Sequence, residues 1–210
     1  MPLPDILDLS IDDIKSHFET GIYTSRDLVE TYLRRIEQVN SILKAVIEVN
    51  PRAKTIAKEL DVERESGHVR GPLHGVPVLL KDNLATDPSE GMSSTSGSFA
   101  LLGAHPPSDS TIAAKLRQAG AVIIAKSNLS EWSNYRGKDS ANGWSSRGGQ
   151  CTGSYYPNQD PSGSSSGSAV GISVGLAAVA IGTETEGSII CPAEANGIVG
   201  MKTVSISVLL

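Results

Sequence analysis

The sequence lacks the features that mark several large classes of protein. Its 210 residues include only two cysteines, Cys151 and Cys191, which are too few for a disulfide framework. No stretch approaches the roughly 18 consecutive apolar residues of a membrane-spanning helix. The start, Met1–Asp5, has neither the basic region nor the apolar region of a signal peptide. The sequence therefore predicts a cytoplasmic protein without a membrane span.

Positive charge is not in excess either. The chain carries 18 lysines and arginines against 23 aspartates and glutamates, which gives a formal net charge of −5. A chain with this balance offers no broad electrostatic footprint for a phosphate backbone, so nucleic acid is not an expected partner. The two cysteines are far apart and the four histidines are scattered, so no metal-ligand spacing is present. The sequence thus points to no metal site and to no cofactor.

The first third of the chain has the periodicity of helices. Ser10–Asp13 resembles a capping box in front of a first helix. Ser25 is predicted to cap a second, longer helix. We interpret residues 1–70 as the N-terminal helical segment of a single domain that continues over residues 71–210.

Strand-type and helical patterns alternate in the rest of the chain. Apolar strands are predicted at Val76–Leu80 and Ala121–Ala125, and each is followed directly by a lysine. A short helix is predicted between them, over Thr111–Gln118. This alternation predicts an α/β fold with a mixed, largely parallel sheet core flanked by helices.

Glycine is abundant, with 21 residues, whereas aromatic residues make up 4% of the chain. This composition predicts backbone packed closely against backbone or ligand. The stretch Ser162–Ser168 has the composition of a flexible linker. It runs directly into Ala169–Ala180, which is too apolar for a linker and favours a buried helix packed on the sheet. The stretch has no Gly-x-x-x-x-Gly-Lys-Ser/Thr pattern, which argues against a phosphate-binding loop.

A second cluster, Gly182–Pro192, places Ser188 among consecutive small residues. Backbone amides beside a serine can form an anion pocket next to a nucleophile. The cluster is not a Gly-x-Ser-x-Gly elbow, because Glu186 and Ile190 stand where the glycines would be. From these residues alone, an ordinary tight turn is an equally good interpretation.

Four segments of the chain form a linked set: Gly71–Asn83, Ser145–Gln150, Asp160–Ala169 and Gly182–Ala193. In order and approximate spacing they resemble the motifs of the amidase signature family, in its stand-alone amidase subgroup. The resemblance covers about residues 5–202. It implies the amidase-signature fold and hydrolysis of carboxylic amides through a Ser-Ser-Lys triad and an acyl-enzyme intermediate. The implied partner is a small-molecule amide substrate.

The resemblance also implies a role for individual residues. Lys81 matches the catalytic lysine, Ser164 matches the bridging serine that the family holds on a cis peptide, and Ser188 matches the nucleophile. The implied oxyanion and substrate-binding turn consists of Thr185, Glu186, Gly187 and Ser188.

A lysine base is chemically demanding. None of the histidines lies in either serine motif, so a Ser-His-Asp triad has no support, and His74 is interpreted as a packed or surface residue. From a reference pKa of about 10.4, deprotonating a lysine at pH 7 costs roughly 4.6 kcal/mol. Burial depresses a lysine pKa by about 3–5 units, so a desolvated Lys81 would avoid most of that cost. Lys126 also ends an apolar strand and is the rival base, ranked lower because Lys81 lies in the matching motif.

The chain departs from the family pattern at three places. Glu186 stands where the family usually has glycine, so its carboxylate must point away from the oxyanion. Ile190 replaces a usual arginine. After Lys202 the sequence runs through Thr203–Leu210 and ends, whereas family members are much longer, so the resemblance implies a fold that is incomplete at the C-terminus. Thr203–Leu210 alternates like an unpaired edge strand and predicts association, for example as a homo-oligomer.

Two alternative functions stay open. The chain is a truncated, catalytically inactive amidase-like remnant in the first alternative. In the second it is the amidase subunit of a glutamine-dependent tRNA amidotransferase, which would need partner subunits. The form Gly-Thr-Glu-Thr-x-Gly-Ser over residues 182–188 looks more like stand-alone amidases, so an amide hydrolase is the primary prediction.

Overall fold

The computed structural model describes residues 6–203 except residues 8, 136 and 138. The α-helices in this part of the chain are α1 (Ile11–Glu19), α2 (Ser25–Leu43), α3 (Ala53–Glu65), α4 (Thr111–Gln118), α5 (Ser166–Ser173) and α6 (Ile190–Ala195). The strands are β1 (Val46–Val49), β2 (Pro77–Lys81), β3 (Val122–Ser127), β4 (Trp144–Ser145), β5 (Gly149–Gln150) and β6 (Val179–Ile181). None of the helices described has the length and apolar character needed to cross a membrane.

One sheet organises the molecule, with the strand order β1-β3-β2-β6. β2 runs parallel to both β3 and β6, and β1 runs antiparallel to β3. Every residue of β2 and β3 is buried, as is typical of central strands covered on both faces. The predicted mixed, largely parallel sheet core flanked by helices is therefore confirmed. β4 and β5 form a separate antiparallel pair.

The helix starts show where local sequence fixes the structure. The Ser10–Asp13 capping box in front of α1 is present. At α2 the prediction is wrong by one residue, because Thr24 is the N-cap and its side chain accepts a hydrogen bond from the N–H of Asp27. Ser25 lies in the first turn instead, and its N–H donates to Asp61 Oδ1 of α3 at 2.8 Å.

The N-terminal helices share a core with the sheet. One buried apolar cluster contains Ile14 of α1, Leu28 of α2, Leu60 of α3 and Leu79 of β2. A second cluster packs Leu116 of α4 against the opposite face of the sheet. The division of this domain between residues 70 and 71 stays a prediction.

α5 begins inside the stretch that has the composition of a linker. Its first six residues, Ser166–Gly171, are buried, so the stretch belongs to the packed interior. The helix is shorter than the predicted segment Ala169–Ala180, because it ends at Ser173, Gly175 takes a φ of 69°, and the chain then turns into β6. Gly175 breaks the helix because glycine adopts a positive φ without steric cost.

Gly167 explains why α5 needs small residues. A Cβ at this position would collide with the carbonyl oxygen of Ala45 and with the backbone of Asn128. Its N–H donates to the Asn128 carbonyl at 3.0 Å, so the helix backbone lies directly on the segment that follows β3. The close backbone contact predicted from the glycine content is present here.

β6 is paired with β2 alone within the described part of the chain. The predicted edge strand falls on residues 203–210, of which residues 204–210 lie outside the described residues. Association through such an edge therefore stays a prediction.

Candidate active site

The side chain of Lys81 ends in the protein interior, at the C-terminal end of β2. Lys81 is 0% exposed. Its Nζ lies 2.8 Å from Ser164 Oγ, 2.9 Å from Ser165 Oγ and 3.2 Å from the carbonyl oxygen of Thr183. The structure thus brings together the predicted residues Lys81 and Ser164, and adds Ser165 and Thr183, which the sequence reasoning did not single out.

The sheet positions these groups. β2 and β6 are parallel neighbours, so their C-terminal ends meet at one edge, where open α/β sheets usually bind ligands. Thr183 follows β6 at this edge, while Ser164 and Ser165 lie directly before α5. The Gly163–Ser164 peptide bond is cis, as the resemblance implies. The carbonyl of Ser164 accepts a hydrogen bond from the N–H of Ser130 at 3.1 Å.

The environment of Lys81 favours the neutral amine. Burial lowers the pKa of Lys81 from 10.5 to about 7, and the carboxylate of Glu184 opposes this shift. A lysine ammonium would donate to all three neighbouring oxygens, whereas a neutral amine donates two protons and accepts one. The Thr183 carbonyl only accepts, so a serine hydroxyl would donate to the neutral amine. The same heavy-atom contacts therefore suit both protonation states.

Ser188 lies in the turn between β6 and α6. Its carbonyl accepts a hydrogen bond from the N–H of Ser165 at 3.0 Å, which anchors the turn one residue from Ser164. The Ser188 Oγ atom has no hydrogen-bond partner within the described residues. The backbone of the predicted nucleophile is thus joined to the site, while its hydroxyl is free.

The predicted oxyanion turn presents a row of free N–H groups. Those of Thr185, Glu186 and Ser188 have no acceptor among the residues that the structure describes. Gly187 adopts a φ of 74° within the turn, and Glu186 is exposed. Successive free N–H groups in a turn form a concavity that binds anions.

Glu184 and Lys202 hold this turn in place. The Glu184 carboxylate accepts hydrogen bonds from the N–H groups of Ile190 at 2.9 Å and Ile189 at 2.6 Å. These bonds, with that from Ile190 first, lower the pKa of Glu184. Lys202 Nζ donates to the carbonyl oxygen of Thr185 at 3.1 Å. The sequence reasoning missed both residues, although Glu184 lies within the second glycine cluster.

A polar wall lies beside the site. Asn83 Nδ2 donates to Thr183 Oγ1 at 2.8 Å and to Ser133 Oγ at 3.1 Å. Trp132, Ser133 and Asn134 all adopt left-handed conformations, with φ of 55°, 56° and 64°. Buried atoms without a hydrogen-bond partner among the described residues include Asn83 Oδ1, Trp132 Nε1 and Asn134 Oδ1. Such strain and such unpaired atoms gather at binding sites, and no sequence pattern indicates them.

Lys126, the rival base, is also 0% exposed. Its Nζ donates to the carbonyl oxygen of Leu84 at 2.6 Å and to Ser94 Oγ at 3.0 Å. Lys126 is paired with Leu80 of β2, so its side chain lies on the face of the sheet opposite to that of Lys81. Burial lowers its pKa to about 8. No contact joins Lys126 to either predicted catalytic serine within the described residues.

His74 is a packed residue, which agrees with its interpretation from the sequence. It is 3% exposed, its Nε2 lies 2.8 Å from the carbonyl oxygen of Leu60, and its Nδ1 accepts from the N–H of Arg70 at 3.2 Å. This pattern fits a neutral imidazole that donates through Nε2, and burial lowers the pKa of His74.

A cavity of about 970 Å³ opens beside β6 and α5. It reaches Ser165 and Thr183 and is bordered by apolar side chains such as Ile172, Val179 and Ile189. No group of three or more His, Cys, Asp or Glu side chains suited to a metal ion occurs in the part of the chain that is described.

Comparisons with known proteins agree on one group of relatives. A family model described as Amidase matches residues 27–207. A protein of Arthroderma benhamiae, named as an inferred amidase, is 47% identical over 95% of this chain and 37% of its own length. The native peptide amidase from Stenotrophomonas maltophilia superposes with a TM-score of 0.86 at 48% identity, over 91% of this chain and 39% of that chain.

A relative with a different name is less similar. One component of the glutamyl-tRNA(Gln) amidotransferase of a Synechococcus species is 34% identical over 94% of this chain and 39% of its own length. The chain therefore spans between 37% and 39% of the length of these three relatives.

Proposed function

Because the chain belongs to the amidase family, we propose that the protein hydrolyses carboxylic amide bonds, with Ser188 as the nucleophile and an acyl-enzyme intermediate. The observation that carries the proposal is the contact of 2.8 Å between Lys81 Nζ and Ser164 Oγ in the protein interior. A lysine with a pKa of about 7 is half neutral near pH 7, so it serves as a general base without a histidine.

The first step forms the acyl-enzyme. The Ser188 hydroxyl gives its proton to Ser164 Oγ, and the Ser164 proton passes to Lys81 Nζ. The bond between Ser188 Oγ and the substrate carbonyl carbon forms at the same time, and the carbonyl oxygen becomes an oxyanion. Free N–H groups in the turn of Thr185 and Glu186 stabilise that charge.

The second half returns the protons. As the C–N bond breaks, the proton on Lys81 passes back through Ser164 to the departing nitrogen, which leaves as an amine or as ammonia. Water then attacks the ester on Ser188 with the same two groups acting as base and relay. In the absence of substrate the Ser188 hydroxyl is not bonded to Ser164, and such contacts often tighten only in the complex with substrate.

The proposed substrates are peptide amides. The relatives that support this are the solved structures named as peptide amidases, at 48–49% identity to this chain. The amidotransferase component is the second candidate, since it shares 34% identity. We rank it behind the stand-alone hydrolase because of this lower similarity. A cytoplasmic location stays a prediction.

Labelling with a serine-directed phosphonate tests the proposal. We expect a folded sample, shown by a cooperative unfolding transition, to be labelled at Ser188, and labelling to be lost in Ser188→Ala. Release of ammonia from peptide amides rather than from glutamine would favour the hydrolase over the amidotransferase. A well-folded sample that is not labelled and releases no ammonia would overturn the proposed function and favour the inactive remnant.

A further inference from the structure

One peptide group of the oxyanion turn, between Thr185 and Glu186, is held by a side chain that the proposed reaction does not use. Lys202 Nζ donates to the Thr185 carbonyl oxygen at 3.1 Å and lies 3.9 Å from Glu184 Oε1. The Lys202 side chain is 45% exposed, whereas that of Glu184 is 7% exposed. Lys202 therefore reaches the turn from the surface, and the largely buried carboxylate of Glu184 attracts its ammonium group.

The orientation of this peptide group decides which atom the turn presents. The C=O and N–H of a trans peptide point in opposite directions. Since the Thr185 carbonyl points to Lys202, the Glu186 N–H points away from it, and that N–H has no acceptor among the described residues. Rotation of the peptide plane would replace this donor with a carbonyl oxygen, which repels a developing negative charge.

Other contacts do not fix this peptide group. Within the described residues, the bond from Lys202 is the only hydrogen bond that the Thr185 carbonyl accepts. The Glu184 carboxylate holds the later half of the turn, through the N–H groups of Ile189 and Ile190. Thr185 and Glu186 are themselves exposed. The first half of the turn thus depends on Lys202.

We infer that Lys202 is a positioning residue, which locks the Thr185–Glu186 peptide in the orientation that keeps the Glu186 N–H available to an oxyanion. The inference rests on the proposed function, since it assigns to Lys202 the support of that reaction. Lys202 does not touch the reacting atoms and acts through the backbone of the turn.

The test compares three variants of the full chain. Lys202→Met removes the donor and Lys202→Arg keeps one. Lys54→Met is the matched control, because Lys54 is a 56% exposed lysine whose Nζ lies 4.0 Å from a glutamate oxygen on the N-terminal helices. Two quantities are measured: the residual dipolar coupling of the Glu186 N–H by NMR, and the rate and concentration dependence of Ser188 labelling by a serine-directed phosphonate.

We expect Lys202→Met to change the Glu186 coupling and to slow the maximal labelling rate about 10- to 100-fold, less than the loss of a whole oxyanion donor. The phosphonate concentration for half-maximal rate and the unfolding midpoint should stay at the wild-type values. Lys202→Arg should restore most of the rate, and Lys54→Met should match wild type in both measurements.

Two results would overturn the inference: an unchanged Glu186 coupling in Lys202→Met, or a changed coupling with a wild-type labelling rate. Failure of the proposed function looks different, because wild type itself would then not be labelled. In that case the coupling still decides whether Lys202 orients the peptide, and the assigned support of catalysis falls with the reaction.

Discussion

Lys81 and Lys126 are two fully buried lysines at the ends of neighbouring parallel strands, and their surroundings differ. Lys81 Nζ contacts two serine hydroxyls and one carbonyl, next to a turn of free N–H groups. Lys126 Nζ contacts one carbonyl and one hydroxyl on the other face of the sheet. Burial lowers the pKa of both, to about 7 and about 8.

The difference shows that burial and function are separate requirements. Desolvation produces a neutral amine at either position. The amine becomes a candidate base only where it meets a hydroxyl that leads to a nucleophile, and only Lys81 has such a neighbour within the described residues. Lys126 also lies near the carboxylates of Asp82 and Glu48, which raise its pKa against the effect of burial.

The largest expected effect separates the two lysines directly. Lys81→Met should slow phosphonate labelling of Ser188 by about 10³-fold or more, because the reaction loses its base. Lys126→Met should keep the rate within about threefold of wild type. Labelling rates on samples with a cooperative unfolding transition make the comparison. An equal loss in both folded variants would contradict the assignment of Lys81 as the base.

The hydroxyl partners give the next largest contrast. Ser164→Ala should slow labelling by about 10²-fold, because the proton relay to Lys81 is interrupted. Ser94→Ala, which removes the hydroxyl partner of Lys126, is the matched control and should leave the rate near that of wild type. A slow Ser94→Ala variant with an unchanged unfolding midpoint would show that the two lysines are coupled.

The pH dependence of labelling sharpens the comparison further. Lys81 accepts a proton only as the neutral amine, so the rate should rise about tenfold per pH unit below the pKa and level off above it. The midpoint is expected at about 7, the pKa of Lys81. Lys126→Met should not move this midpoint. A midpoint at about 8 that disappears in Lys126→Met would assign the titration to the other lysine.

The smallest expected effect concerns stability. Between about pH 7 and 10.5 the folded protein holds Lys81 neutral while the unfolded chain holds it protonated, and the same is true of Lys126 above about 8. The unfolded state thus binds more protons, so the free energy of unfolding rises with pH by about 1.4 kcal/mol per unit for each lysine. Lys126→Met should halve this slope above about pH 8. Urea titrations at several pH values measure it.

Much of the fold follows from local sequence patterns. α4 has the predicted bounds of Thr111–Gln118, and the predicted strands lie within two residues of β2 and β3 at each end. The predicted cap of α2 lies one residue late, because Thr24 and Ser25 are both good cap residues and only the bond to Asp27 distinguishes them. α5 ends before the predicted segment does, since small apolar residues suit a helix and a strand equally well.

The candidate site is predictable to a lesser extent. Lys81, Ser164, Ser188 and the oxyanion turn stand out through their resemblance to a family, and their catalytic roles stay predictions. Ser165 and Lys202 escape prediction, because a second serine in a serine-rich stretch and a surface lysine carry no local signal. Their importance lies in contacts with Lys81 and Thr185, which are 84 and 17 residues away in the sequence.

The sequence by itself determined the kinds of elements, their order and the residues able to do chemistry, because hydrophobic periodicity, capping and glycine content act over a few neighbouring residues. Only the tertiary structure decided which buried lysine meets a relay hydroxyl and how far its pKa falls. Desolvation and hydrogen bonding depend on atoms brought in from distant segments, as with Ser164 and Thr183, 83 and 102 residues from Lys81.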